Sequence, residues 1–182
     1  MEATTAVKTK WKIDPAHSEI QFKVKHMMVS TVTGSFDEFD ASVEADGDKD
    51  FEDAKIEFTA KTKTVNTRNK DRDEHLRSDD FFNAEKYPEL KFTSTSFKKI
   101  NDHEYELKGD LTIRDHTEPV SLQVEFNGKA VDPYGQTKAG FEISGKIKRK
   151  TFGLKWSAVT ETGGVVVSDE VRLDLNVQLI KQ

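Results

Sequence analysis

The stretch "DRDEHLRSDDFF", residues 71–82, brings together carboxylates, two arginines, a histidine and two adjacent phenylalanines. Three kinds of site use such groups: a metal loop, an acid–base catalytic centre, and the polar edge of an apolar pocket. The last of these needs donors for a polar head group and apolar side chains for a tail. The stretch supplies both, as Arg72, His75 and Arg77 and as Leu76, Phe81 and Phe82. The residue types alone leave the three kinds of site open.

The carboxylates only approximate a calcium loop. The ligand positions of an EF-hand are matched by Asn69, Asp71, Asp73 and Asp80. The position of the sharp turn, which needs glycine, is occupied by Glu74. The five histidines lack the short spacings of zinc sites, and the chain has no cysteine. No metal site is therefore predicted.

No motif marks a catalytic centre. The chain lacks the nucleophile motif G-x-S-x-G and a phosphate loop, and its 33 acidic residues single out no carboxylate pair. His103 and His116 lie in turn-like sequences where we expect exposure, and His17 follows Asp14 and Pro15, where it can hold a turn. We predict a protein that is not an enzyme and has no catalytic residues. The alternative left open is a small-molecule enzyme with His26 or His75 as base.

The residues between these motifs alternate between apolar and polar, the period of half-buried strands. In "SEIQFKVKHM" the apolar side carries Ile20, Phe22 and Val24 and ends at His26. Turn sequences separate the segments that share this pattern. The predicted strands cover 20–26, 32–43, 54–65, 89–96, 105–113, 120–126, 139–147 and 171–179. This pattern predicts an all-β protein, an antiparallel sandwich or barrel of about eight strands, with one short helical segment at residues 71–82 that presses Phe81 and Phe82 onto it.

The inward positions of these strands mix phenylalanine with small residues. The chain has 12 Phe against 3 Tyr and 2 Trp, so plain aromatic rings supply much of its apolar surface. The small inward residues are Ala60, Thr62, Ser94, Ser96, Gly109, Ala139 and Gly145. They either leave room for one small ligand inside an eight-stranded barrel or interdigitate with the Phe rings in a packed core.

Composition limits the partners. A formal charge of −5 provides no basic field for phosphates, so nucleic acid is not an expected partner. No segment approaches the length of a transmembrane span. The first residues lack the pattern of a signal peptide, so we expect a cytoplasmic protein, or a periplasmic one if a signal peptide has been removed. We predict one domain over residues 11–182, preceded by a flexible arm of residues 1–10.

Several motifs in this order resemble the YceI-like family of lipid- and polyisoprenoid-binding proteins. The matching segments are "WKIDPAHSEIQFKVKH" at 11–26, "GSFDEFDASV" at 34–43, "TRNKDRDEHLRSDDFF" at 67–82, "YPELKFTS" at 87–94, "GDLTIRDHTEPVSL" at 109–122 and "RKTFGLKW" at 149–156. One departure is the turn "RDHTEP", where Asp115 and His116 are more polar than is usual for the family.

The resemblance implies an eight-stranded lipocalin-like barrel, with a short helix or two, around a long apolar tunnel. The tunnel holds a polyprenyl chain, as in prenylated phenols and quinones, for binding, sequestration or transport. A bound isoprenoid lipid is the only cofactor-like group implied. The tunnel contacts carried over are Phe22, Val24, Phe36, Phe58, Phe92, Phe141, Phe152 and Trp156, and the polar contacts are His26, Arg72, His75 and Arg149. Fatty-acid-type lipids, a stress-associated interaction module without ligand, and a homodimer stay open.

Overall fold

The computed structural model describes residues 8–47, 50–157 and 166–182. Within these ranges, strands dominate and one α-helix lies among them. The strands are β1 (Lys8–Ile13), β2 (Glu19–His26), β3 (Ser30–Phe36), β4 (Phe39–Asp46), β5 (Lys55–Lys61), β6 (Val65–Asn66), β7 (Glu89–Lys99), β8 (Glu104–Ile113), β9 (His116–Val131), β10 (Thr137–Lys148) and β11 (Val167–Lys181). The helix α1 spans Lys70–Arg77, and short 3-10 helices lie at Pro15–His17, Thr62–Thr64 and Arg149–Phe152.

Eight of the strands form a closed antiparallel barrel. Their order is β1, β4, β5, β7, β8, β9, β10 and β11. The ring closes where Trp11 of β1 lies opposite Lys181 of β11. The prediction of an eight-stranded antiparallel barrel is therefore confirmed, and closure leaves these strands no open edge between them.

The membership of the ring differs from the sequence prediction. β1 was not predicted, and Lys8–Lys10 of the expected arm belong to it and pair with β4, whereas residues 1–7 lie outside the described residues. β11 is long enough to pair with β1 through residues 179–181 and with β2 through residues 167–176. The predicted strand 32–43 is two strands, because the chain changes partners after Phe36: β3 pairs with β2 and β6, and β4 with β1 and β5.

Asp14 fixes the bend between β1 and β2. Its carboxylate accepts a hydrogen bond from the Ala16 N–H at 3.1 Å and so caps the 3-10 helix that follows. The same carboxylate lies 2.8 Å from Nδ1 of His17, as the sequence suggested, and 2.9 Å from Nζ of Lys138 on β10. Asp14 and Lys138 are both largely buried. The Lys138 hydrogen bond, above all, holds the pKa of the Asp14 carboxyl below its usual value, against the effect of burial.

We predict that Asp14→Asn lowers the free energy of unfolding by about 1–3 kcal/mol at neutral pH, because a charge-assisted bond to a buried lysine is lost. A lowered pKa in the folded state stabilises the fold above the unfolded pKa of about 3.9, and this contribution disappears as pH falls through the folded value. Urea titrations should therefore show the two proteins converging below about pH 4. Glu44→Gln, which breaks an exposed pair with Lys8, is the control and should cost less than about 1 kcal/mol. A deficit in Asp14→Asn that is constant down to acid pH would refute the electrostatic explanation.

Neighbouring side chains occupy the space beside the small inward residues. A Cβ added at Gly109 would lie 2.4 Å from the Phe92 ring, one at Gly145 would lie 2.3 Å from Leu122, and one at Gly34 would lie 2.3 Å from the Phe22 ring. The other small residues, Ala60, Thr62 and Ala139, are buried, and Ser94 Oγ accepts the Ile56 N–H. Interdigitation is thus the correct interpretation for these positions. Ser96 is the exception, because a β-bulge between Ser94 and Ser96 brings Phe97, and not Ser96, to the inner face.

The charge-rich segment forms a shorter helix than predicted. α1 begins after Asn69, whose side chain accepts the Arg72 N–H at 3.0 Å, and it ends at Arg77. Phe81 and Phe82 follow in a turn and are buried against the barrel. The ring of Phe82 lies edge-on to that of Phe36, with centroids 5.5 Å apart. The segment therefore presses its phenylalanines onto the barrel through a turn.

Candidate functional site

The barrel encloses a cavity of about 350 Å³ with an apolar lining. Seven of its 42 lining residues are polar. They are Gln21, Lys25, His26, Thr67, Arg72, His75 and Arg149. The volume falls in the range of about 300–1,000 Å³ that is usual for small-molecule sites.

Phenylalanine supplies nine of the lining residues, as many as leucine or valine. Nine of the 12 Phe residues in the chain face the cavity. They are Phe22, Phe36, Phe51, Phe58, Phe81, Phe82, Phe92, Phe97 and Phe141. A phenyl ring has large apolar area and no hydroxyl or N–H that needs a partner in a dry cavity. The excess of Phe over Tyr and Trp is thus located in this lining.

Seven of the eight predicted tunnel residues lie on the cavity surface. They are Phe22, Val24, Phe36, Phe58, Phe92, Phe141 and Trp156. Phe152 is the exception: its ring is buried within the 3-10 helix at Arg149–Phe152 and does not reach the lining. The resemblance in "RKTFGLKW" implied a tunnel contact at Phe152, but within this motif the cavity is lined by Arg149, Leu154 and Trp156.

One end of the cavity is closed by aromatic rings. Phe51, in the segment that joins β4 to β5, packs on Trp11, Phe126 and Phe141 with ring centroids 5.2, 5.5 and 4.9 Å away. Phe97, which also lines this end, stacks on Tyr105. These rings are almost fully buried apart from Phe126. We call this the closed end.

The other end carries nearly all the polar lining. Lys25 and His26 end β2, Arg72 and His75 lie on α1, and Arg149 begins the 3-10 helix after β10. Lys25 and Arg72 are exposed, and His26 and His75 are half-buried. The cavity therefore reaches solvent at this end, which we call the polar end.

Arg72 is held by the loop before α1. Its Nε donates to Thr67 Oγ1 at 2.8 Å and its Nη2 to the Thr67 carbonyl at 2.7 Å. Asp73 fixes Thr67 in turn by accepting its N–H at 2.8 Å. Two of the guanidinium nitrogens thus position the side chain. Nη1 has no acceptor among the described residues and can donate to a ligand.

His75 combines a carboxylate partner with aromatic packing. Its Nε2 lies 2.8 Å from Asp80 Oδ2. The ring meets Trp156 edge-on at 4.8 Å and Phe81 at 5.1 Å. His75 therefore joins α1 to the segment after β10, and its Nε2 is engaged by Asp80.

His26 lies at the last position of β2, opposite Ser30 on β3 and Val167 on β11. Its ring makes no hydrogen bond to the part of the chain that the structure describes. Of the four predicted polar contacts, His26 is the one whose side chain is left without a partner there. Both histidines considered as bases, His26 and His75, lie at the polar end and not at the closed end.

Arg149 lines the cavity but is 3% exposed, and its donors are directed into the protein. Its Nε donates to the Ser168 carbonyl at 2.9 Å, its Nη1 to the carbonyls of Leu154 and Trp156 at 2.7 and 2.6 Å, and its Nη2 to that of Val167 at 3.0 Å. Burial lowers the pKa of the Arg149 guanidinium, while Asp169 acts in the opposite direction. These contacts support a structural role that holds Trp156 and Val167 at the cavity.

His116 is half-buried, which corrects the expectation that it is an exposed turn residue. The residue begins β9, and its ring packs against Gly153. Gly153 has φ +79°, and a Cβ there would lie 2.7 Å from Cε1 of His116. The polar turn "RDHTEP" therefore supports the 3-10 helix that carries Arg149.

We predict that Gly153→Ala lowers the free energy of unfolding by about 2 kcal/mol, because it adds a side chain both in the left-handed region and against the His116 ring. Gly135→Ala is the matched control, since Gly135 has φ +82° and no atom within 4 Å of an added Cβ. Its cost should be about 1 kcal/mol, the backbone penalty alone. Urea denaturation of the two variants gives the difference, and equal costs would contradict a steric role for His116.

Within the described ranges, no group of His, Asp and Glu side chains is arranged to hold a metal ion. In the same residues no helix has the length and apolarity needed to span a bilayer.

Comparison with known proteins identifies the family. A family model described as a YceI-like domain matches residues 11–179. The protein YceI of Escherichia coli O157:H7 is 40% identical over 182 residues, which cover 99% of this chain and 91% of that protein. The chain belongs to the YceI-like family.

Solved structures agree with this assignment. The YceI protein of Campylobacter jejuni is 35% identical and superimposes with a TM-score of 0.75, covering 100% of this chain and 99% of that one. A polyisoprenoid binding domain from Saccharophagus degradans, implicated in plant cell wall breakdown, reaches a TM-score of 0.67 at 15% identity, over 94% of this chain and 98% of that one. At 15% identity, the similarity to the Saccharophagus degradans domain shows a shared fold.

Sequence reasoning missed several residues of this YceI-like cavity. Thr67 orients Arg72, Val166 and Val167 complete the polar end, and Phe51 and Phe97 close the other end. Phe51 lies in a loop, where no strand period could mark it. Phe97 follows a β-bulge between Ser94 and Ser96 that shifts the register of β7, so a strict alternation from Leu90 puts Phe97 on the outside.

Proposed function

We propose that this protein binds one isoprenoid-type lipid, with its tail in the barrel cavity and its head group at the polar end. The observation that supports this most strongly is the cavity of about 350 Å³, which has an apolar, Phe-rich lining and one polar, solvent-accessible end. The structural likeness to a protein described as a polyisoprenoid binding domain agrees with the proposal.

Tail burial supplies the affinity. Each CH₂-sized group removed from water contributes about 0.8 kcal/mol, so a dozen such groups contribute about 10 kcal/mol before costs. Ordering the flexible tail and immobilising the ligand return several kcal/mol of this. The net affinity then depends on how well the tail fits the lining, which favours a branched chain that fills the space between phenyl rings.

Head-group contacts supply selectivity. His26, Nη1 of Arg72 and Nδ1 of His75 are the groups placed to meet a hydroxyl, phenol or phosphate at the polar end. Arg149 is excluded from this set, because its donors hold carbonyls of the protein. The role that this arrangement supports is binding for sequestration or transfer of the lipid.

Trp156 provides a direct readout, because it lines the cavity at the polar end while the second tryptophan, Trp11, is buried. Titration of the protein with geranylgeraniol should change Trp156 fluorescence with saturation at one equivalent and a Kd of about 1 μM or lower. Trp156→Phe should lose the signal and keep the binding, as judged by extraction. Palmitic acid should compete weakly. Tight competition by palmitic acid would favour fatty-acid-type lipids as the ligand class, and no saturable binding of either lipid would refute the proposal.

A further inference from the structure

The hairpin between β2 and β3 exposes three consecutive apolar side chains at its tip. Met27, Met28 and Val29 are 47, 69 and 83% exposed. The Met27 N–H donates to the Val166 carbonyl at 2.7 Å, and the Val29 N–H donates to the His26 carbonyl at 3.1 Å. The tip is therefore anchored by its backbone while its side chains point to solvent.

The backbone conformation at the tip disfavours methionine. Met27 and Met28 have φ of +51° and +56°, so both central residues of the turn that the Val29 N–H closes onto the His26 carbonyl are left-handed. Asn-Gly is the residue pair that fits such a turn best, and a side chain with Cβ is disfavoured there. Both methionines are exposed, so burial against the described residues does not offset this cost. Strain of this kind is typical of positions kept for function.

The tip is continuous with the polar end of the cavity. The two residues before it, Lys25 and His26, line the cavity, and so do Val32 on β3 and Val166 beside Met27. Lys148, Lys150 and Lys155 are exposed in the neighbouring segment, which Arg149 ties to Val167. An apolar tip thus adjoins the polar end of the cavity, and exposed lysines lie on the segment that Arg149 ties to Val167.

The opposite end of the barrel lacks this arrangement. The exposed large apolar residues there are Ile100, Val131 and Tyr134, which are not consecutive and do not line the cavity. Ile100 and Tyr134 lie on the β7–β8 and β9–β10 connections and Val131 ends β9, all at the closed end. They therefore provide a natural control for any effect of exposed apolar groups in general.

We propose that the tip, Met27–Val29, inserts into the interface of a phospholipid bilayer and sets the polar end of the cavity against the membrane. The inference rests on the proposed function, because it gives the path by which a lipid tail passes between bilayer and cavity. Three side chains on a convex hairpin bury far less than the roughly 800 Å² per partner of a stable protein interface. A bilayer accepts such a tip without a matching groove, and the flexible methionine side chains adapt to it. The exposed lysines of the segment that Arg149 ties to Val167 attract anionic lipid head groups.

The decisive variant combines Met27→Asn, Met28→Gly and Val29→Thr. It removes the apolar groups and installs the residues that the turn prefers, so its thermal stability should equal or exceed that of the wild type. The control combines Ile100→Ser, Val131→Ser and Tyr134→Ser. Vesicles of phosphatidylcholine with a minor share of phosphatidylglycerol, loaded with geranylgeraniol, are the probe.

The tip variant should co-sediment with these vesicles about tenfold less than wild type or control, as expected when several inserted apolar groups are lost. Its uptake of geranylgeraniol from the vesicles should slow by a similar factor, while its uptake from ethanol solution is unchanged. Equal sedimentation and transfer by the tip variant and the wild type would overturn the inference. So would a dimer that the tip variant converts to a monomer, without vesicle binding by the wild type. If the wild type fails to take up geranylgeraniol from ethanol, the proposed function fails, and sedimentation still decides the membrane contact.

Discussion

Leu173→Trp is expected to weaken geranylgeraniol binding at least about tenfold, with little loss of thermal stability. Leu173 lies midway along β11, opposite Gly145 on β10 and Phe22 on β2, and it lines the cavity. Its side chain is only half-buried although it points into the barrel. An indole at this level occupies the space that a tail must cross from the polar end to the closed end, and the free volume absorbs the larger ring without the strain of an overpacked core.

The adjacent residue on the same strand gives the matched control. Arg172 is exposed on the outside of β11, so Arg172→Trp adds the same ring outside the cavity. Fluorescence titration and solvent extraction of the three proteins should separate Leu173→Trp from the other two. Binding by Leu173→Trp that matches the wild type would place the lipid elsewhere than in this cavity.

Arg149→Met is expected to lower the free energy of unfolding by about 3–5 kcal/mol. Four carbonyls lose a charged donor, and such bonds contribute about 1.5–3 kcal/mol each, while removal of a buried cation recovers part of the total. The same change frees Trp156 and Val167, so lipid binding should weaken as well. Urea denaturation measures the first effect and Trp156 fluorescence the second.

Two variants separate the guanidinium from its charge. Arg149→Lys keeps a cation but cannot donate in the planar fork to four carbonyls, so it should lose most of the same stability. Lys148→Met removes the exposed neighbouring charge and should change stability by less than about 0.5 kcal/mol. A small cost for Arg149→Met would contradict the role of Arg149 as the tie between β10, β11 and the segment that carries Trp156.

The alternation of apolar and polar residues predicted the all-β class and the inward faces of the strands, but it did not predict the order of the strands in the barrel. Alternation in 20–26 or 171–179 reports which side chains face inward, because one face of each strand meets the core and the other meets water. Alternation does not report which strands pair. The pairing of β11 with β2 along its first part and with β1 along its last part could therefore not be predicted. β1 does show the strand alternation, with Thr9, Trp11 and Ile13 between three lysines. It was missed because residues 1–10 were predicted to be a flexible arm.

The site was predictable where strands build it and not where loops do. The strand phenylalanines, Val24 and His26 fall on the lining, as the alternation indicated. Arg149 was predicted to contact the head group. Its actual acceptors are backbone carbonyls of residues up to 19 positions away, which the sequence around Arg149 does not indicate. The turn at Met27 and Met28 was equally hidden, since residues that suit a left-handed turn are usually Asn and Gly.

The most direct test of the central claim is native mass spectrometry of the protein purified without detergent, before and after solvent extraction. We expect one discrete adduct per chain whose mass corresponds to a single lipid with an isoprenoid tail. Extraction should remove it, and added geranylgeraniol should restore an adduct in the wild type but not in Leu173→Trp. A folded protein that carries no lipid and takes up neither geranylgeraniol nor palmitic acid would show that the cavity is not a lipid-binding site.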